Sequence, residues 1–356
     1  MTNKKNIIIG IAAVIVIAAM VFFASGNKAK AQATVAGPTF SWSGVMDASM
    51  QNYDTGTDTL TRAGDGNLNS SRLRIAGSSP DLGGIKFNFG LEGGLRASSG
   101  TMGSTTTVGQ AFTREAFVGV SGTAGEIRVG LTDLSAAEGM DTIQHTFANF
   151  TNFATNRAGI EIGTDTSNAI RYISPNLLGF QLQAGYAGNG NGVTTDAKSD
   201  AVSGSVVYTQ APFRVGAGYS SKKAATSVGE TDAKSVGFSY TLPFATVGAA
   251  YIYGDNSTTA DVESTSSIYS VRIPLEGGLN LHGVYAMTKD GAQTSENKGT
   301  GYTLGVTKNF TDKAMIYGAY STVTNEINST MSMNGMTVPS AGRDPSLFVV
   351  GVSYSF

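Results

Sequence analysis

The chain has 356 residues, of which only 14% are charged, with 46 Gly, 8 Pro and no Cys. No disulfide framework, thiol nucleophile or Cys-ligated metal site is possible. The charge content falls below the roughly 25% of soluble domains, yet the mean hydropathy of −0.02 is too polar for a bundle of membrane helices. Strict alternation of apolar with small or polar residues produces this combination.

The N-terminus opens with Lys4 and Lys5, continues with an apolar run from Ile7 to Ala24, and then offers Ala29-Lys30-Ala31 and Ala31-Gln32-Ala33. A basic start, an apolar stretch and a small-x-small site form the pattern of a secretory signal peptide, so residues 1–33 are expected to be removed and 34–356 to fold. Residues 1–33 hold four Lys and no acid, which leaves 20 basic and 26 acidic residues and a net charge near −6. That balance disfavours a nucleic-acid partner. If the chain forms a pore, it predicts a mild preference for cations.

From there the dominant period is two. Phe40, Trp42, Met46, Ala48 and Met50 alternate with Ser41, Ser43, Asp47 and Ser49. Ile85, Phe87, Phe89 and Leu91 alternate with Lys86, Asn88, Gly90 and Glu92, and Phe348, Val350, Val352, Tyr354 and Phe356 share one face. This is the signature of strands with two unlike faces. The pattern predicts strands at 39–53, 68–77, 84–95, 112–121, 125–131, 167–174, 179–187, 201–210, 212–220, 233–242, 244–254, 264–274, 278–288, 299–310, 314–324 and 346–356, sixteen in all. Most reach the roughly 9–11 residues that a tilted strand needs to cross a bilayer.

The connections fall into two alternating classes. Those at 78–83, 122–124, 175–178, 211, 243, 275–277 and 311–313 are short, with Pro80, Pro175, Pro212, Pro243 and Pro274 in or beside them. Those at 54–67, 96–111, 132–166, 188–200, 221–232, 255–263, 289–298 and 325–345 are longer and polar. Short inner turns and long outer loops are the habit of a membrane barrel. Lipid cannot satisfy free backbone groups, so the sheet must close on itself. The expected fold is therefore all-β: a closed antiparallel transmembrane β-barrel of about sixteen strands. Tyr186, Tyr208, Tyr219, Tyr240, Tyr251, Tyr253, Tyr317, Tyr320, Tyr354 and Phe356 tend toward strand ends, as aromatic girdles would require.

Several strings resemble the Gram-negative general porin family, in the family's order. They are Ser71-Arg72-Leu73-Arg74-Ile75-Ala76-Gly77, Pro80-Asp81-Leu82-Gly83-Gly84-Ile85, Thr113-Arg114-Glu115-Ala116-Phe117-Val118-Gly119, Gly125-Glu126-Ile127-Arg128-Val129-Gly130 and Asn168-Ala169-Ile170-Arg171-Tyr172-Ile173-Ser174-Pro175, with a terminal Phe356. The Asn-x-Ile-Arg-Tyr-x-Ser-Pro string is the most specific of them. The resemblance implies a water-filled outer-membrane homotrimer whose third outer loop, here 132–166, folds into the lumen. It also implies diffusion of ions and small hydrophilic solutes, and a terminal signal at Tyr354 and Phe356 read by the barrel-assembly machinery. The chain departs from the family at Leu131, where Arg is frequent, and in a first strand without an inward base, which implies a less basic wall.

Transport residues follow in part from physics alone. Arg72 and Arg74 share a face opposite Leu73 and Ile75. A lipid-facing Arg at the bilayer midplane costs about 2–4 kcal/mol, so the arginine face must be the lumen. The basic side of a constriction is assigned to Arg72, Arg74, Arg114, Arg128, Arg157 and Arg171. Its acidic side is assigned to Asp133, Glu138, Asp141, Glu161 and Asp165, in or beside the long loop. Phe147, Phe150 and Phe153, three apart, suggest a helical turn of that loop packed on the wall.

His145 and His282 lie far apart without metal-site spacing. No phosphate-binding Gly loop or nucleophile elbow is present, so no cofactor and no enzymatic reaction is expected. A substrate-selective porin for sugars, phosphate or organic acids, and a plugged surface or adhesive barrel, remain as alternatives.

Overall fold

The structure, a computed structural model, describes residues 37–65, 68–103, 111–134, 165–188, 200–223, 229–256, 262–290, 297–333 and 339–356. The expected signal segment 1–33 lies outside them, as do Phe147, Phe150, Phe153 and His145.

The strands in chain order are β1 (Thr39–Asp54), β2 (Thr59–Asp65), β3 (Arg72–Ser78), β4 (Ile85–Arg96), β5 (Thr101–Met102) and β6 (Glu115–Gly122). They continue with β7 (Gly125–Asp133), β8 (Asp165–Ile173), β9 (Phe180–Ala187), β10 (Ala201–Gln210), β11 (Phe213–Lys223) and β12 (Glu230–Thr241). The last six are β13 (Thr246–Asn256), β14 (Val262–Pro274), β15 (Leu279–Asp290), β16 (Asn297–Asn309), β17 (Ala314–Asn325) and β18 (Ser346–Ser355).

These 18 segments form one antiparallel barrel of 16 staves. Both β2 and β3 pair with β1, at Ala48–Asp54 and Thr39–Val45 respectively, so together they make one stave. The two-residue β5 only extends β4 as a hairpin. Closure comes from β1 against β18, running from Val45 opposite Ser355 to Asp54 opposite Ser346. Gly44 and Phe356 complete the seam by exchanging backbone hydrogen bonds of 3.1 and 3.0 Å. With every edge paired, the backbone can lie in lipid without orphaned donors.

The expected strands match the observed ones closely, with one exception. Residues 59–65, expected to lie in a long polar loop at 54–67, form a strand, and Thr55 to Asp58 turn before it, held by Asp54 Oδ1 accepting from the Gly56 amide at 2.7 Å. The sequence of β2, Thr-Leu-Thr-Arg-Ala-Gly-Asp, has no apolar alternation. It is recruited by its pairing with β1 rather than by a pattern of its own.

The two faces differ as alternation demands. Val118, Val129, Phe348, Val350 and Val352 stand exposed on the outer face. Their registers tie them to Phe89, Ile170, Tyr320 and Ala48 on the same side. Aromatic pairs mark the girdles on this face, among them Phe180–Tyr208 at 4.5 Å and Phe213–Tyr240 at 4.8 Å between ring centroids, with Tyr269–Tyr285 and Tyr302–Tyr320 further along the strands. Trp42 meets Phe356 at 5.8 Å beside the seam.

Tyr317 departs from the girdle expected for it. It faces inward, is 2% exposed, and donates its hydroxyl to Asp47 Oδ1 at 2.7 Å. Its ring lies across the wall over Gly351, where any Cβ would collide with it. The chain between β2 and β3 supports the same spot. Asn69 donates its amide to Asp47 Oδ2 at 3.1 Å and its side chain to Ser353 Oγ at 3.0 Å, so residues 68–71 cross the inside of β1. An apolar cluster also lines the inside, including Ile252, Ile268, Val323, Leu347 and Val349 from the strands and Met331 and Met333 from the β17–β18 connection.

Candidate functional site on the inner wall

The arginine face is set by register. Arg72 pairs with Val45 and Gly94, and Arg74 with Ser43 and Glu92, all inward positions. Leu73 and Ile75 pair outward with Gly44 and Trp42. Counting across the ladders in steps of two, Glu92, Glu115, Arg128 and Arg171 also point inward, on β4, β6, β7 and β8. Arg114 precedes β6 by one residue, and its amide donates to the Glu92 carbonyl at 3.0 Å.

These side chains form one continuous run of ion pairs. Glu92 is the hub: Arg114 Nε donates to it at 2.8 Å, Arg74 Nη1 at 3.2 Å, and Arg72 Nε lies at 3.7 Å. Arg74 also bonds Glu115, which in turn accepts from Arg128 Nη1 at 3.1 Å. Arg128 closes the run in bidentate fashion on Glu126, at 2.9 and 3.2 Å. Its guanidinium lies 4.4 Å from the centroid of the Phe117 ring. Bidentate pairing fixes the plane of a guanidinium as well as its charge.

Arg128 and Arg171 are direct register partners, a like-charge arrangement that is unfavourable on its own. They turn apart. Arg128 binds the acids on its β6 side, while Arg171 turns toward β9 and donates Nε to Gln183 Oε1 at 3.1 Å. A β-bulge between Gly130 and Thr132 then shifts the register, with Gly130 at φ 139°, which glycine alone takes readily.

Of the expected basic residues, Arg72, Arg74, Arg114, Arg128 and Arg171 thus share one neighbourhood, and Arg157 lies outside the described residues. Of the expected acids, Glu138, Asp141 and Glu161 lie outside the described residues. Asp133 and Asp165 are register partners beyond the bulge. The acids that meet these arginines are Glu92, Glu115 and Glu126, none of them assigned from sequence. The signal was present: Glu92 falls on the polar beat opposite Phe87, Phe89 and Leu91, and Glu115 opposite Ala116 and Val118.

His282 faces inward on β15, with Nε2 3.0 Å from Thr307 Oγ1. Among the described residues no cluster of His, Asp or Glu is arranged to hold a metal.

The family model for Gram-negative porins matches residues 12–328. Outer membrane porin protein 32 of Delftia acidovorans is 26% identical over 370 residues, covering 95% of this chain and 98% of the relative. Among solved structures, an anion-selective porin from Comamonas acidovorans superposes with a TM-score of 0.76 at 23% identity, over 90% of this chain and all of that one. The trimer form of OmpT, an outer-membrane protein of Vibrio cholerae, superposes with a TM-score of 0.68 at 16% identity, over 90% of this chain and all of that one. With the closed barrel and its charged inner wall, these matches place the chain in the Gram-negative outer membrane, as a channel rather than an enzyme: it belongs to the Gram-negative porin family.

Proposed function

We propose that the barrel is a water-filled diffusion channel for ions and small hydrophilic solutes with a weak preference for anions, set by the local charge of its inner wall. The observation that carries this reading is the excess of bases over acids at inward positions of the described strands. The ion-pair run holds Arg72, Arg74, Arg114 and Arg128 against Glu92, Glu115 and Glu126, with Arg171 beside it. Arg62, Lys86, Arg214, Lys222 and Arg272 also occupy inward registers. Acids at inward registers outside the run include Asp47 and Asp290, while Glu230, Asp232, Asp255 and Glu263 share the outward registers of β12–β16 with Lys234, Lys289, Lys298 and Lys308.

The net charge near −6 expected for 34–356 therefore overstates the acidity of the lumen. Charge close to the water column weighs more than charge separated from it by the wall and about a Debye length of electrolyte. This reading reverses the mild cation preference expected from net charge. The name of the Comamonas structure, an anion-selective porin, lends it support.

The chemistry of such a site is electrostatic. Guanidinium groups held by carboxylates keep their positions at no further entropic cost, and rings of fixed side-chain charge set ion preference. Because the described acids interleave with the arginines on one wall, the field near that wall alternates over short distances. The strongly polarised slot expected from opposed acidic and basic sides would need Glu138, Asp141 and Glu161 to face the arginines from the loop at 132–166. We propose that role for them and for Arg157, Asp133 and Asp165.

A homotrimer, embedded through the outward apolar face, fits the trimer form in which OmpT was solved. Cleavage after residue 33 and recognition of Tyr354 and Phe356 by the barrel-assembly machinery complete the reading.

Single-channel recording in planar bilayers tests it against a plugged barrel. The expected result is steady ohmic current in symmetrical salt. Correctly folded, heat-modifiable protein that inserts yet carries no steady current would overturn it.

A further inference from the structure

The ladder beside β1 is interrupted. Asp65 pairs with Ala48 and Arg72 with Val45, so Met46 and Asp47 have no partner in β2 or β3. Asp47 points inward at this gap and is 0% exposed. The chain just before Arg72 covers it.

Ser71, itself buried, takes the place of a ladder partner. Its hydroxyl accepts from the Asp47 amide at 2.8 Å and donates to the Asp47 carbonyl at 3.1 Å, since one hydroxyl can do both. On its other side the Ser71 carbonyl accepts from the Leu95 amide of β4 at 2.9 Å. Asn69 adds its amide to Asp47 Oδ2 at 3.1 Å and its side chain to Ser353 Oγ on β18 at 3.0 Å. Leu68 is buried in the same apolar cluster as Tyr53. Residues 68–71 thus form an inner strap tied to β1, β4 and β18.

Arg72 leaves this strap with a partner unlike those of its neighbours. Its Nη1 donates to the Ser70 carbonyl at 2.9 Å, while its Nε stays 3.7 Å from Glu92. Arg74, Arg114 and Arg128 each have a carboxylate oxygen within 3.2 Å. Within the ion-pair run, Arg72 is therefore the guanidinium held closest by a neutral acceptor, and its charge is the least compensated. Its side chain is 37% exposed.

We propose that Ser71 and Asn69 are positioning residues for anion passage. With Asp47 as their anchor they hang the 68–71 strap on the inner wall, and the Ser70 carbonyl of that strap holds the Arg72 guanidinium beside the water column. Arg72 meets the passing anion, and the two neutral side chains act through it. This inference rests on the barrel being an open pore.

The zero-current potential in planar bilayers under a salt gradient tests it, with urea unfolding run alongside. Arg72→Met is expected to lower the anion-to-cation permeability ratio by up to about 7-fold, the full effect of a unit charge about 7 Å from the ion. Ser71→Ala changes no charge, yet is expected to lower the ratio about 2-fold, because the interaction halves when the distance doubles. Ser71→Thr keeps the hydroxyl and should keep the ratio. Asn69→Ala cuts the tie to Ser353 and should shift the ratio in the same direction, so it serves if Ser71→Ala fails to fold. In the Arg72→Met background neither change should move the ratio further. Folded Ser71→Ala and Asn69→Ala variants with the unmodified ratio, or a shift of the same size without Arg72, would overturn the strap's role while leaving the pore intact. Absence of steady current in the unmodified protein would instead overturn the pore.

Discussion

Glu92 and Glu115 are register partners across the β4–β6 ladder, and their carboxylates are held together by Arg74, which bonds both. Two acids on facing positions repel unless a cation sits between them. Arg74→Met is expected to destabilise the barrel by about 1–3 kcal/mol, below the 3–5 of a fully buried pair because the lumen is wet. Adding Glu115→Gln should recover part of that loss. Urea unfolding in detergent or liposomes, run as a double-mutant cycle, measures the coupling. Strictly additive losses would show that Arg74 is not the bridge.

Glu92→Gln leaves Arg72, Arg74 and Arg114 without their shared carboxylate. A unit charge about 7 Å from a permeating ion, screened as by bulk water, is worth about 0.6 kcal/mol, a factor of about 3. The anion gains and the cation loses by that factor, so the anion-to-cation permeability ratio should rise by roughly 7-fold. An unchanged ratio would place these arginines away from the ion path.

Arg128 and Arg114 should differ in their structural weight. Arg128 is 17% exposed, bidentate on Glu126, bonded to Glu115 and stacked on Phe117, whereas Arg114 is 39% exposed with Glu92 as its partner. Arg128→Met is expected to cost about 1–3 kcal/mol, and Arg114→Met under about 1 kcal/mol. Equal costs in the same unfolding assay would contradict the burial difference.

Tyr317→Phe removes the hydroxyl that Asp47 accepts at 2.7 Å inside the wall. Hydrogen bonds to buried charged groups contribute about 1.5–3 kcal/mol, so the variant should unfold at lower urea while conductance stays the same. A conductance change without a stability change would mean that this tyrosine lines the path instead of bracing the wall.

The assignment of faces can be checked directly. Val118→Arg puts a charge on the outward face and is expected to cost about 2–4 kcal/mol on folding into liposomes. Gln181→Arg, inward by register with Val207, should cost little. The reverse order would turn the barrel inside out.

Much of this architecture was legible because period-two alternation and the short-long rhythm of connections are imposed by a two-solvent wall. Arg72 and Arg74 declared the lumen by their spacing alone. Legibility failed where both faces of a strand are apolar. On β17, Met315, Tyr317 and Ala319 face in while Ile316 and Tyr320 face out, so parity by itself could not orient Tyr317. The cause is non-local, since the inside there is covered by chain returning from residues 68–71 and 326–333. Glu92, Glu115 and Glu126 were hidden differently. Alternation was read for its apolar members, and the acids were sought in the long loop, yet pairing across three ladders is what brings these carboxylates to the arginines. The strand at 59–65 carries no pattern and exists through its partner.

The zero-current potential of the unmodified protein in a planar bilayer under a salt gradient tests the central claim most directly. A wall whose inward charge is dominated by arginine predicts a small potential of the sign set by faster anion passage. A potential of the opposite sign would contradict it, and would show that acids outside the described wall control the constriction.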